Sequence, residues 1–338
     1  MRSLLILGCS GSIGRQCVDL LREYPGRFRV AGLTAGSSLQ VVAELAAELD
    51  VPAVALADAS KADELAALLP ARTRVEAGPE AASILAADLD YDVALNGIVG
   101  AAGLGPSVAV LERGKTLALA NKESLVVAGE LLVDLAEQRG ARLLPVDSEH
   151  NALLQCMAGD RLEHVRKVWL TASGGALRDL PLEDLPGVTP EQALAHPNWD
   201  MGPRITIGSA TLMNKALEVI EAAHLWRLPA ERIGVLVHRQ SIVHGMVEFV
   251  DGSMLAELGP PDMRLPIHHA LSWPERVPTN LHAFDPVLFA NLTFEEPDLE
   301  RFGALALGYR CVTEGGNAGA VLNAADEVAV EAFLAGDL

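Results

Sequence analysis

No two cysteines of this sequence stand at CxxC spacing. Cys9, Cys17, Cys156 and Cys311 are scattered along 338 residues, which argues against a zinc site or a disulfide frame and for reduced thiols. There is no uninterrupted apolar run long enough to cross a bilayer, although half of the residues are hydrophobic. The apolar start, residues 1–7, stops at Gly8 and is too short for a signal-peptide core. Basic residues are few, 26 against 45 acidic ones, for a net charge of −19. Nucleic acid and anionic membranes are therefore poor partners, and an anionic small substrate needs a local basic pocket. Internal repeats and low-complexity segments are absent as well. A cytoplasmic protein is expected.

The length suits two domains, or two and a fragment. Over residues 1–146 short apolar runs alternate with amphipathic stretches. Residues 2–7, 28–33, 52–57, 92–96, 116–120 and 141–146 read as strands, with helical patterns such as 39–49 and 122–138 between them. This predicts an α/β fold with an N-terminal Rossmann-like parallel sheet domain, helices on both faces. The first turn, Gly8-Cys9-Ser10-Gly11-Ser12-Ile13-Gly14, is a GxxGxxG variant of the dinucleotide fingerprint. Its glycines let the backbone approach a pyrophosphate, and the following helix N-terminus favours that charge. The second strand runs into Gly36-Ser37-Ser38 without the Asp or Glu that would hold the 2′-hydroxyl of NAD, which mildly favours NADP; Ser37 and Ser38 can hydrogen-bond a 2′-phosphate but carry no charge, so these residues leave the choice open. Lys122 stands on the strand-end edge where ligands bind in open α/β sheets, and reads as a ligand contact or as a solvated lysine at a helix start.

The next segment is Pro145-Val146-Asp147-Ser148-Glu149-His150-Asn151. Two carboxylates at i and i+2 after a strand project to the same side and offer hard oxygen ligands to Mg²⁺ or Mn²⁺; a solvated acidic turn would carry the same residues. Residues 164–172 read as a strand ending in Ser173-Gly174-Gly175, a loop able to present amides to an anion, or an ordinary glycine turn. The segment His196-Pro197-Asn198-Trp199-Asp200-Met201-Gly202 carries Trp199 and Met201 as core or as the apolar tip of a lid. A helix start is expected at Ser209, capped by Ser209 or Thr211. Asn214, Lys215 and Glu218 share one broad face of that helix. They read as a phosphate lysine with a third metal ligand, or as a surface ion pair. Residues 233–238, 242–250 and 254–258 are further strands, with a turn at Asp251-Gly252, and residues 318–334 form a last helix. His268 and His269, adjacent on a helix, read as structural.

Taken in order, the motifs LGCSGSIG, GAAGL, ANKESLV, LLPVDSEHNA, TASGG, HPNWDMG, SATLMNKALE, GPPDMRLPI and LNAADEVAV resemble the 1-deoxy-D-xylulose 5-phosphate reductoisomerase family of the non-mevalonate isoprenoid pathway. The resemblance covers nearly the whole chain. It implies a homodimer that isomerises 1-deoxyxylulose 5-phosphate, a small sugar phosphate, and reduces the resulting aldehyde with NADPH to 2-C-methylerythritol 4-phosphate. It implies Mg²⁺ or Mn²⁺, with Co²⁺ as an option, on Asp147, Glu149 and Glu218. It further implies that Lys122, Ser148, Ser173, His196, Ser209, Asn214, Lys215 and Glu218 meet the substrate, with Lys122, Asp147, Glu149, His196 and Glu218 as the catalytic set. Ser10, Gly11, Ser12, Ile13, Gly36, Ser37, Ser38, Asn121, Glu123 and Gly202 match NADPH-binding positions.

The expected domains are then an NADPH-binding domain over 1–146, an α+β catalytic domain over 147–273 with a lid at about 188–202, a linker over 274–300, and a partial, apparently truncated C-terminal helical domain over 301–338. The chain departs from the family pattern at Cys9-Ser10, Ser37, Gly208 and Arg239, where the family usually has Ser-Thr, a nearby basic residue, Asp and Pro. Gly208, Arg239 and the short C-terminal part keep an alternative in view, a catalytically weak nucleotide-binding relative acting as sensor or scaffold.

Overall fold

Four consecutive aliphatic residues, Leu4, Leu5, Ile6 and Leu7, are fully buried, as a parallel strand covered on both faces requires. In the computed structural model, which describes residues 1–199, 201–281 and 285–338, they lie in β1 (Arg2–Leu7). The chain continues through α1 (Ser12–Glu23), β2 (Phe28–Ala35), α2 (Leu39–Glu48), β3 (Ala53–Leu56), α3 (Ala62–Leu68), β4 (Arg74–Ala77), α4 (Ala81–Asp88), β5 (Val93–Asn96), α5 (Leu104–Glu112), β6 (Thr116–Leu119), α6 (Lys122–Arg139) and β7 (Arg142–Pro145). These strands form one seven-stranded sheet in the order β4-β3-β2-β1-β5-β6-β7. All its pairings are parallel. The direction of winding reverses between β1 and β5, which makes their carboxyl ends the place for a ligand.

The strand pattern of the sequence matches this sheet except at β4. Its four residues, Arg-Val-Glu-Ala, are all half-buried. An edge strand with charged side chains and one β-branched residue gives no apolar run to read.

After β7 come α7 (Ser148–Cys156), β8 (Val165–Ala172), α8 (Pro190–Leu194), α9 (Pro203–Ala210), α10 (Met213–Trp226), β9 (Ile233–Val237), β10 (Val243–Phe249), β11 (Met254–Leu258), α11 (Arg264–Ser272), α12 (Ala304–Glu314) and α13 (Ala318–Ala335). A second sheet has the order β11-β10-β8-β9. β8 and β9 are parallel, and the other two pairings are antiparallel. Leu153, Val168, Leu170, Val219, Val247 and Leu305 pack into one buried cluster between this sheet and its helices. The chain divides into two units. The first comprises Met1–Ser124, Glu130–Asp147 and Met263–Val277; the second comprises Leu125–Gly129, Ser148–Asp262 and Pro278–Leu338.

The structure corrects the expected helix start at Ser209. Ser209 lies in the last turn of α9, Leu212 takes a left-handed conformation with φ 57°, and α10 begins only at Met213. Ser209 therefore does not cap; the Met213 N–H donates to Thr211 Oγ1 at 3.3 Å. A leucine with positive φ is costly and persists where packing over-determines it; Leu212 is buried in the second unit's core. Asp200 of the expected lid and residues 282–284 of the expected linker lie outside the described residues. The end of that linker segment is tied down by a bridge between Val237 and Glu295.

Candidate active site

In the first unit, the turn between β1 and α1 depends on two glycines. Gly8 has φ +87°, and a Cβ there would come within 2.9 Å of Gly97 O in the turn after β5. A Cβ on Gly14 would lie 2.4 Å from Gly8 O, so α1 can approach the strand end only with glycine there. Gly11 is the N-cap of α1 and brings no side-chain cap to its first turn. Ser10 and Ile13 are half-buried, Gly11 and Ser12 exposed. Beneath, Asn96, which sequence reasoning did not single out, donates from Nδ2 to Gly103 O at 2.9 Å and to Ser107 Oγ at 2.8 Å. Asn121 donates to Ile98 O at 2.7 Å, Gly100 O at 2.8 Å and Glu123 Oε2 at 3.0 Å, and accepts from Ser124 N–H at 3.1 Å. Its side chain shapes the loop after β5. Gly36 and Ser37 are exposed and Ser38 half-buried at the end of β2.

At the other end of the sheet, Lys122 opens α6 and forms an ion pair with Asp147. Lys122 is 6% and Asp147 9% exposed. A buried carboxylate needs a partner, and here it is a lysine from the same unit.

The second unit gathers a continuous set of polar groups. Glu149 and Glu218, 69 positions apart in sequence, converge on the ammonium of Lys215. The Glu149 contact is 2.7 Å. Asn214 Nδ2 donates to Glu218 Oε1 at 2.6 Å, and Ser148 Oγ to Glu149 Oε2 at 2.6 Å. Burial opposes the Lys215 charge, yet the Glu149 and Glu218 carboxylates outweigh it and raise its pKa above the ordinary lysine value. The reading of Lys215 and Glu218 as a surface ion pair is thereby excluded, since they are 3% and 0% exposed. His150, which the sequence did not flag beyond its place after Glu149, joins this set. Its Nε2 lies 3.0 Å from Glu218 O and so carries the proton. A His150 ring nitrogen and a Glu218 carboxylate oxygen lie within 4.8 Å of each other.

Beside these groups, a Cβ on Gly175 would lie 2.4 Å from Ser209 O, so the loop after β8 rests directly on the end of α9. His196 Nδ1 accepts from the Asn198 and Trp199 N–H groups at 3.1 and 2.9 Å. Its proton is therefore on Nε2, which donates to Ser173 Oγ at 2.8 Å. Ser209 Oγ is 3.4 Å from the same hydroxyl. Burial, helped by the Arg178 charge, lowers the His196 pKa. Gly202, the remaining residue of the expected cofactor set, is the exposed N-cap of α9 in this second unit.

Two departures from the family pattern acquire physical explanations. A Cβ on Gly208 would meet Asn214 at 3.3 Å, so the bare glycine lets Asn214 sit close. Arg239 pairs with Asp179 at 2.7 Å and with Glu295 at 2.9 Å.

Comparison with known proteins decides the family. The family model described as 1-deoxy-D-xylulose 5-phosphate reductoisomerase matches residues 4–129, and the models of its C-terminal domain match residues 143–226 and 258–338. The chain is 51% identical over 335 residues to 1-deoxy-D-xylulose 5-phosphate reductoisomerase of Pelodictyon phaeoclathratiforme, covering 99% of this chain and 88% of that protein. The chain belongs to the 1-deoxy-D-xylulose 5-phosphate reductoisomerase family. The corresponding protein of Thermodesulfovibrio yellowstonii is 48% identical, with 100% of this chain and 88% of that one covered. A crystal structure of DOX-P reductoisomerase in complex with NADPH, fosmidomycin and magnesium superposes with a TM-score of 0.96 at 40% identity, covering 100% of this chain and 86% of that one. The 1-deoxy-D-xylulose 5-phosphate reductoisomerase from Zymomonas mobilis in complex with NADPH gives 0.93 at 43% identity, covering 100% and 88%.

Proposed function

We propose that this protein isomerises 1-deoxy-D-xylulose 5-phosphate and reduces the product to 2-C-methyl-D-erythritol 4-phosphate, using NADPH and a divalent metal. The observation that carries the reading is the Glu149–Lys215–Glu218 cluster, with Lys215 and Glu218 buried, next to the Ser173–His196–Ser209 set, in a family member about half identical to its named relatives. In this reading the first unit's parallel sheet, residues 1–146, is the NADPH domain. Residues 147–273 form the catalytic domain with a lid at about 188–202, residues 274–300 the linker and residues 301–338 the C-terminal helical part.

The residues suit both groups. Asp147, Glu149 and Glu218 are hard oxygen donors, each already beside a lysine ammonium, so the protein supplies buried negative charge that calls for a cation. The uncapped start of α1 behind a glycine turn suits a pyrophosphate. When bound, the divalent ion supplies Lewis-acid polarisation of the substrate oxygens, and NADPH supplies the hydride. Asp147, Glu149 and Glu218 hold the metal, which is Mg²⁺ or Mn²⁺. Ser173, His196, Ser209, Asn214 and Lys215 bind and orient the sugar phosphate, several of them at its phosphate. Ser148 and Lys122 position the carboxylates they contact and meet the substrate. Ser10, Gly11, Ser12, Ile13, Gly36, Ser37, Ser38, Asn121, Glu123 and Gly202 seat the dinucleotide. The 196–202 segment closes over the substrate with Trp199 as cover and keeps water from the aldehyde.

The working form is a homodimer, supported by the apolar side chains that the edge strand β11 exposes. A cytoplasmic setting accords with four free cysteines; no described helix is long and apolar enough to cross a membrane. The sensor or scaffold alternative is not favoured, because the chain is about half identical to named reductoisomerases, and two of the features that motivated it, Gly208 and Arg239, are accommodated by packing and ion pairs. The test is metal-dependent loss of reduced-nicotinamide absorbance on adding 1-deoxyxylulose 5-phosphate. A folded sample that consumes no NADPH with Mg²⁺ or Mn²⁺ present refutes the activity.

A further inference from the structure

We propose that Lys61, at the start of α3, reads the 2′-phosphate of the dinucleotide and so sets the NADPH preference of this chain. The inference rests on the NADPH reading above and goes beyond it to a residue that neither motif nor spacing points to. In a doubly wound sheet the end of the second strand faces the adenosine ribose, where an acid selects the 2′-hydroxyl and a base the 2′-phosphate. Here that end is Gly36-Ser37-Ser38, with neither.

The base arrives from the next strand. β2 and β3 are parallel neighbours whose last residues, Ala35 and Leu56, are in register. The chain leaving β3 stays attached to the one leaving β2, with Ala57 N–H on Ala35 O and Asp58 N–H on Gly36 O, both at 3.0 Å. This brings Lys61 Nζ to 2.8 Å from Ser37 O. An ammonium has three donors, so one bond to a carbonyl leaves capacity for phosphate oxygens, and the side chain is 38% exposed. At Gly36 itself there is room: a Cβ there would meet nothing within 4 Å, and Gly36 and Ser37 are exposed. The Ser38 hydroxyl makes no capping bond to α2.

One acid faces the lysine. Asp58 Oδ2 is 3.6 Å from Nζ, and its carboxylate accepts from the Ser60 N–H at 3.1 Å and hydroxyl at 2.6 Å. Those bonds anchor Asp58 on its own turn. Asp63 and Glu64 follow in the first turn of α3. A phosphate monoester carries about −1.5 to −2 charges near neutral pH, more than the single Asp58 charge, so the ammonium favours the ligand.

The test uses calorimetry with NADPH, NADH, 2′,5′-ADP and ADP on the full chain and on the Lys61→Ala and Lys61→Arg variants. Wild type should bind the two 2′-phosphorylated ligands more tightly than their counterparts. Lys61→Ala should weaken those two by about tenfold or more, the worth of one charge-assisted bond, while ADP and NADH change little; Lys61→Arg should keep most of the preference. If Lys61→Ala discriminates as well as wild type, or loses all four ligands equally, the assignment is wrong. If wild type itself binds none of them, the NADPH reading fails instead.

Discussion

Lys215 and Lys122 are the cations that partner buried Asp147 and Glu218 and half-buried Glu149, and Lys215 can be tested by what its removal leaves behind. Replacing Lys215 with alanine leaves Glu149 and fully buried Glu218 facing one another without the countercharge between them. Breaking a buried pair in this way typically costs about 3–5 kcal/mol. We expect urea unfolding of Lys215→Ala to shift by that order, and Mg²⁺ to restore part of the loss if these carboxylates are metal ligands. A variant as stable as wild type, or indifferent to Mg²⁺, would remove the cluster from the metal site. His196 gives a pH prediction. Its folded pKa lies below 6.5, so the neutral ring is the native form. Its stability contribution is present above 6.5 and is lost as pH falls further, because the unfolded chain takes the proton first. The His196 ring should titrate in NMR with a midpoint under 6.5; a midpoint at or above it contradicts the burial argument. At this scale helical spacing was enough to place Asn214, Lys215 and Glu218 on one face. It could not show that Glu149 shares the same ammonium, nor that Lys61 reaches Ser37, because those contacts are made by chain segments distant in sequence.

Elements were more legible than their joints. The apolar runs of β1, β8 and β11 announce themselves, and β11 spans the expected residues. What the pattern hides is the break between α9 and α10, where periodicity continues through Thr211 and Leu212 while the backbone turns left-handed at Leu212. That kink is set by packing of Leu212, not by a glycine or proline. The segment before α9 is likewise fixed by contacts that no motif encodes. Asn198 Nδ2 donates to Arg239 O at 2.7 Å and to Ser241 Oγ at 2.9 Å, and Trp199 meets the His244 ring edge-on at 6.1 Å. Trp199 is only half-buried there. We therefore expect Trp199→Ala to leave the melting temperature nearly unchanged and to lower kcat/KM by about tenfold or more, through loss of closure over the substrate. A core tryptophan would instead cost about 3–5 kcal/mol of stability, and a collapsed melting temperature would refute the lid assignment.

For the whole molecule the informative strand is β11, an edge of the second sheet. Natural edges are blunted by charge, proline or a covering element. β11 reads Met-Leu-Ala-Glu-Leu, with a single charge at Glu257, and Met254, Leu255 and Leu258 are 52%, 48% and 40% exposed. Alternation puts Leu255 and Glu257 on one face and Met254, Ala256 and Leu258 on the other, so this edge strand exposes apolar side chains from both of its faces. From sequence the strand was legible but its exposure was not, since burial depends on which strand lies at the rim. A second copy of the chain supplies matching chemistry, and burying three such side chains across a two-fold axis favours association by roughly 25 cal/mol per Å² of apolar area removed from water. Light scattering after size exclusion should therefore report twice the 35.7 kDa chain mass. Leu255→Arg, which places a charge in the middle of that surface, should shift the protein to single chains with an unchanged circular dichroism spectrum. Wild type eluting as a monomer, or an arginine variant that still dimerises, would rule out β11 as the contact.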